Sequence, residues 1–149
     1  MQSTAPVTIS EAEWEVMRVV WAHGSVTSRI IIEVLEDKMG WKESTIKTLI
    51  GRLVDKMALD TSKDGRRFIY KAKVSEENTV KSYSEELLSR VCDKQNGAVI
   101  SHLIQDATLS QEDIKNLQEL LELKAANAPE VVPCRCAFGQ CDCHLEKHV

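Results

Sequence analysis

Apolar residues recur along this chain at three- and four-residue spacing, and the pattern breaks once into alternation. Ser10-Glu11-Ala12-Glu13 has the form of a capping box, with Trp14, Met17, Arg18 and Trp21 following at helical spacing. This predicts a first helix from about Glu11 to Ala22, stopped by Gly24. Thr27 or Ser28 caps a second helix whose apolar face is Ile30, Ile31, Val34 and Leu35, and Gly40 ends it. Trp41 is expected to pack as a hinge before the next helix. That third helix should run from about Glu43 to Ala58, with Ile46, Leu49, Ile50, Leu53, Val54 and Met57 as its apolar stripe. Its other face carries Ser44, Thr45, Lys47, Thr48, Gly51 and Arg52, which are short, polar or basic.

Alternation then takes over. Leu59 to Ser62 and Phe68 to Ala72 flank Lys63-Asp64-Gly65-Arg66-Arg67, and Asp-Gly between extended segments predicts a hairpin. Phe68, Tyr70 and Ala72 should face inward, leaving Arg67, Ile69 and Lys71 outward. The tip gathers Lys63, Arg66 and Arg67. Three helices followed by a basic-tipped hairpin predict a winged helix-turn-helix, with the wing beside the groove that the third helix enters. Small hydroxyl residues let a helix backbone approach DNA, while Lys and Arg reach phosphates or base edges. The expected DNA-contacting set is therefore Ser44, Thr45, Lys47, Thr48 and Arg52 on the helix, with Lys63, Arg66 and Arg67 on the wing.

The second half returns to helical spacing. Glu76 to about Gln95 carries Val80, Tyr83, Leu87, Leu88 and Val91 on one face, and Asn96-Gly97 is expected to break it. Ala98 to Ile104 forms a short apolar helix. Ser110-Gln111-Glu112-Asp113 opens a further helix bearing Ile114, Leu117, Leu120 and Leu121. Helices this short do not bury their apolar faces alone, and pairing with a second copy would cover them. Leu87, Leu88, Val91, Ile114, Leu117 and Leu121 are the expected dimerisation residues. Cys92 reads as a small buried residue of the first of these helices. Ala125 to Pro133 reads as a linker. The predicted organisation is a DNA-binding domain over 1–74, a helical dimerisation domain over 75–128, and a linker with a Cys-rich tail over 129–149. The fold class is mainly α with a small β-wing.

Charge sharpens this division. The 149 residues carry a net charge of −4, which by itself argues against nucleic acid. Yet Lys38 to Lys73 holds ten basic residues against four acidic, and Ser75 to Val149 holds seven against thirteen. A basic segment joined to an acidic one fits a DNA-binding module attached to an oligomerisation module. No apolar run approaches the length of a membrane span, and the first residues lack the regions of a signal peptide. The expected location is the cytoplasm. No nucleophile–base pair, phosphate-binding glycine loop or paired catalytic carboxylates stand out, so an enzyme is not expected.

The tail brings chemistry of its own. Cys134, Cys136, Cys141 and Cys143 form C-x-C-x4-C-x-C, holding four of the five cysteines within ten residues. Without a secretory leader, such a cluster points to metal or redox work rather than a disulfide framework. Phe138 and Gly139 between the pairs could let the second fold onto the first. Four thiolates can close a tetrahedral Zn(II) site, and an all-sulfur set also suits Cu(I). His144 and His148 read as exposed tail residues beside an already complete ligand set.

The stretches Ser10 to Met17, Gly40-Trp41, Thr45 to Leu53 and Gly65 to Tyr70 resemble the penicillinase-repressor family, also called BlaI/MecI. The tail is similar to that of its copper-responsive CopY branch. The resemblance implies a dimeric winged-helix repressor on an inverted-repeat operator ahead of copper-export genes. In that branch the Zn(II) form holds DNA, and Cu(I) displaces zinc and releases it. A copper-donating metallochaperone is a further candidate partner. Thr45, Lys47, Thr48 and Arg52 match as DNA-contacting positions, and Arg66 and Arg67 match as wing residues. Two positions depart from the pattern. Lys42 stands where the family often has a capping Ser, so Ser44 is an alternative cap. Gly51 stands where Ser or Arg is common. Two rival readings are a Cu(I)/Zn(II) buffer, which would not bind a specific DNA, and a thiol-redox-sensing repressor, released by oxidation without copper.

Overall fold

A computed structural model describes residues 7–144 of the chain. The chain forms two compact units, the first running through Tyr83 and the second starting at Ser84. Among the described residues no helix is long and apolar enough to cross a membrane.

The first unit opens with α1, Glu11–His23. The Ser10 hydroxyl accepts from the Glu13 N–H at 3.1 Å, and Gly24 closes the helix at φ 76°. A short strand β1, Ser25–Thr27, follows, which three residues of unpatterned sequence did not announce. Thr27 caps α2, Ser28–Met39, which ends on Gly40 in the left-handed region. Next comes α3, Glu43–Asp55. Its N-cap is Lys42, whose side chain makes no capping bond, and Ser44 lies inside the helix rather than capping it. The helix also stops short of Ala58. The Met57 N–H reaches the Val54 carbonyl at 3.0 Å, and the Ala58 N–H reaches the Leu53 carbonyl at 2.9 Å. These two bonds are the reversal that ends many helices, with Met57 at φ 68° in the place usually given to glycine. Met57 therefore leaves the apolar stripe and is 57% exposed.

The hairpin consists of β2, Leu59–Asp64, and β3, Arg67–Ala72, joined at Gly65-Arg66. The strand order is β1-β3-β2, antiparallel throughout, with Val26 opposite Tyr70 and Thr61 opposite Tyr70 on the other side. Tyr70 and Ala72 are half-buried as expected, but Phe68 is exposed, lying beyond the residues of β3 that pair with β1, and Ile69, expected outward, is half-buried. The fold is a winged helix-turn-helix. Its core is formed by Val16, Met17 and Val20 of α1, Val26 of β1, Ile31 and Leu35 of α2, Ile46, Leu49 and Leu53 of α3, and Leu59 of β2. Trp41 packs at its edge.

The polar anchors of this unit cross long sequence distances. The Trp21 indole N–H donates to the Val74 carbonyl at 3.0 Å. Tyr83 hydrogen-bonds the Ile9 carbonyl through its hydroxyl and accepts from the Ile9 N–H at 2.9 Å. Its ring meets Trp14 edge-on at 4.8 Å. Tyr83 belongs to α4, Glu76–Ser89.

The second unit takes the last turn and a half of α4 and then a single 3-10 turn, Asp93–Gln95. After these come α5, Asn96–Asp106, and α6, Gln111–Ala125. The helix break lies at Arg90 to Cys92, and Asn96-Gly97 begins α5 instead of interrupting α4. Val91 thus lies beyond the face that carries Leu87 and Leu88. Ser110 and Asp113 form the expected capping box.

Candidate nucleic-acid interface and metal centre

Four buried apolar residues, Ile46, Leu49, Ile50 and Leu53, hold one side of α3 against the core and turn the opposite side to water. Ser44, Thr45, Lys47, Thr48, Gly51 and Arg52 are all exposed. Two of these side chains are already engaged. Thr48 donates its hydroxyl to the Ser44 carbonyl at 2.9 Å, and Lys47 pairs with Glu43 at 3.0 Å, one turn back. An exposed pair of this kind is worth well under about 1 kcal/mol, so Lys47 is free to exchange it for a stronger anion. A side chain added at Gly51 would meet nothing within 4 Å, so packing does not demand the glycine. On the wing, Lys63, Arg66 and Arg67 are exposed. Lys63 lies over the Phe68 ring at 5.3 Å, and Arg67 is 3.8 Å from Asp64. A basic helix face and a basic hairpin tip thus belong to one unit.

The second unit has a different surface. Among the described residues, every buried apolar side chain belongs to the first unit, and α5 and α6 bury none. Leu87, Ile114 and Leu121 are exposed, as are Ile100, Leu103, Leu120 and Leu123. Leu88, Val91 and Leu117 are half-buried.

The tail folds back at Ala137 to Gln140, where the Gln140 N–H reaches the Ala137 carbonyl at 3.0 Å and Gly139 takes φ 89°. The turn does bring the second C-x-C onto the first: the Cys134 and Cys141 sulfurs are 3.3 Å apart. Cys92 joins them. Its sulfur lies 3.6 Å from that of Cys134 and 3.8 Å from that of Cys143. The expectation that Cys92 is a buried helical residue is corrected. It lies past the end of α4, half-buried, among the tail sulfurs. The sequence held one hint, since Cys92 stands only four residues before Asn96-Gly97, a poor place for a continuous helix. The ligand atoms of Cys92, Cys134, Cys136 and Cys141 all lie within 4.8 Å of one another. Arg135 forms an ion pair with Asp93, which holds the Asp93 carboxyl below its ordinary range, chiefly through that hydrogen bond. His148 lies outside the described residues, as does the side chain of His144.

The crowded thiols influence one another. The Cys141 thiol is lowered to about 7, first by its hydrogen bond with Cys134. Cys136 is pushed up to about 12, first by withdrawal from water and then by the neighbouring sulfurs. Cys141 ionises near neutral pH while Cys134, Cys136 and Cys143 are raised and hold their protons, so a bound ion would have to displace them.

The sequence profile described as penicillinase repressor matches residues 9–123. The chain belongs to the penicillinase repressor family. Members of this family are DNA-binding transcriptional repressors. An uncharacterised 16.5 kDa protein of Latilactobacillus sakei is 49% identical over 139 residues, 93% of this chain and 95% of that one. The penicillinase repressor of Bacillus licheniformis is 33% identical over 114 residues, 76% of this chain and 89% of its own. The solution structure of the DNA-binding domain of the repressor BlaI is similar at 37% identity and a TM-score of 0.47, covering 51% of this chain and 93% of that one. Cys92 falls inside the stretch matched by the penicillinase repressor profile, and the four tail cysteines fall beyond it.

Proposed function

We propose that this chain is a cytoplasmic, metal-responsive transcriptional repressor. As a zinc-loaded homodimer it binds an inverted-repeat operator of copper-homeostasis genes, and it leaves when Cu(I) displaces zinc. The observation that carries this reading is the convergence of thiols in the same unit as the uncovered apolar helices. The donor set fits the metals. With zinc–sulfur bonds of about 2.3 Å, a tetrahedron has sulfur–sulfur edges of about 3.8 Å, and the gathered sulfurs already stand 3.3 to 3.8 Å apart where they touch. Soft thiolates also select Cu(I). Zinc closes such a site as a structural ion and leaves no position for substrate.

The division of labour follows the two units. Ser44, Thr45, Lys47, Thr48 and Arg52 contact the operator from α3, and Lys63, Arg66 and Arg67 contact its backbone from the wing. Leu87, Leu88, Ile114, Leu117 and Leu121, with Val91 beside them, cover one another across the dimer. One Zn(II) and two Cu(I) ions leave four thiolates with the same net charge. Release is therefore a matter of geometry rather than of repulsion from phosphate. A hundredfold ratio of operator affinities requires about 2.7 kcal/mol of coupling between metal and DNA, and DNA must weaken Cu(I) binding by the same factor.

The test is a fluorescence-anisotropy titration of the zinc-loaded protein on inverted-repeat DNA. Cu(I) is added anaerobically, and released zinc is followed in the same cuvette. Zinc and DNA leaving together, near two Cu(I) per chain, support the proposal. Zinc leaving while DNA stays bound refutes the coupling. Release by peroxide without copper would favour a thiol-redox repressor.

A further inference from the structure

We infer that Cys92 is a metal ligand, and that the zinc set is Cys92, Cys134, Cys136 and Cys141 rather than the four cysteines of the tail. This rests on the zinc-binding reading above and names its ligands. Three observations carry it. These four ligand atoms are the group that fits within a mutual 4.8 Å, whereas Cys143, though 3.8 Å from Cys92, falls outside that group. The same four are half-buried and Cys143 is exposed. The Arg135–Asp93 ion pair joins the residue between the first two tail cysteines to the residue after Cys92, so a second contact brings the two stretches into this register.

The placement gives the site a function that a self-contained tail would lack. Cys92 precedes the 3-10 turn between α4 and α5, and its carbonyl accepts from the Gln95 N–H at 2.7 Å. A ligand on a hydrogen-bonded turn between two helices is more firmly placed than one on a loop. The ion ties the tail to that turn, and a change of ion is felt at the helices directly. Cys143, on an exposed residue, remains as a fifth thiol beside the group, 3.8 Å from the Cys92 sulfur and within reach of an incoming thiophilic ion.

Cysteine footprinting of the full-length dimer tests this. N-ethylmaleimide is added to the chain with and without zinc, and each cysteine is followed by peptide mass spectrometry. Zinc should slow modification of Cys92 by about tenfold or more, as it does at Cys134, Cys136 and Cys141, because a thiolate held by metal is not free to attack. Cys143 should react at nearly its zinc-free rate. If Cys143 is protected and Cys92 reacts as fast with zinc as without, the inference fails while the zinc reading survives. If all five react alike in both states, the zinc reading itself fails. Zinc competition against a chromophoric chelator gives a second readout. Loss of an outer-shell partner already costs about 10–100-fold in metal affinity, so Cys92→Ser should cost no less and Cys143→Ser little. The opposite ranking would overturn the assignment.

Discussion

Lys56 and Glu13 stand 43 positions apart, and the Lys56 ammonium donates to Glu13 Oε1 at 2.6 Å. The same ammonium donates to the Thr8 carbonyl at 3.0 Å. Glu13 is almost fully buried on α1, and Lys56 caps the C-terminal end of α3. The pair thus ties α3 to the first helix and to the segment of chain before it. Removing the lysine takes the ammonium donor away from a buried carboxylate and leaves it the Ser10 bonds alone. We expect Lys56→Ala to destabilise the first unit by about 1–3 kcal/mol, measured by urea unfolding. Unchanged stability would mean that water replaces the ammonium.

The same pair sets a pH response. Burial acts to raise the Glu13 carboxyl, but hydrogen bonds from Lys56 and Ser10 outweigh it, and the group titrates below its ordinary range. A depressed carboxyl stabilises the fold above its unfolded value, and that contribution is lost as pH falls through the folded value. Wild type should therefore lose stability on acidification into that range more steeply than Glu13→Gln. Parallel pH curves for the two proteins would remove Glu13 from the account.

The wing arginines make a separable prediction. Arg66→Ala should weaken operator binding about equally across sequences. It should also reduce the slope of log K against log salt by about 0.9 if the side chain meets one phosphate. A loss of sequence preference with the slope intact would assign Arg66 to a base edge instead.

Gly51 sits mid-helix with open space around it. Gly51→Ala should stabilise the fold by about 0.5–1 kcal/mol, since the helix no longer restrains a glycine. If operator affinity falls while stability rises, the bare backbone is needed for close approach to DNA. If affinity is unchanged, the glycine is incidental.

Leu121 is 57% exposed on α6, a helix with no fully buried side chain among the described residues. Leu121→Glu should shift the protein from dimer to monomer in sedimentation equilibrium, and the first unit should remain folded, because its core lies elsewhere. A dimer that persists would place the interface on another face.

Much of this was legible from side-chain periodicity. The stripes of α1, α2 and α3 were readable because each has one dry face, and Ser10, Thr27, Gly24 and Gly40 mark real helix ends. The hairpin declared itself through Asp64-Gly65. What escaped was decided by partners distant in sequence. Strand β1 exists because Val26 pairs with Tyr70, and three residues carry no period. The early end of α3 depends on backbone bonds at Met57 and Ala58, residues that look helical. Cys92 resembled a core residue because its neighbours in space lie 42 and 51 positions later.

That separation has a topological consequence. Between Cys92 and Cys134 lie α5, α6 and the linker. An ion held by both sulfurs joins the ends of this 42-residue stretch into a closed ring. In the chain-entropy estimate, closing a loop of that length restricts the unfolded chain by about 4 kcal/mol, as a disulfide would. Unlike a disulfide, this link opens by ligand exchange without a change of oxidation state at sulfur. The helices inside the ring would gain or lose their tether whenever such an ion was taken or surrendered.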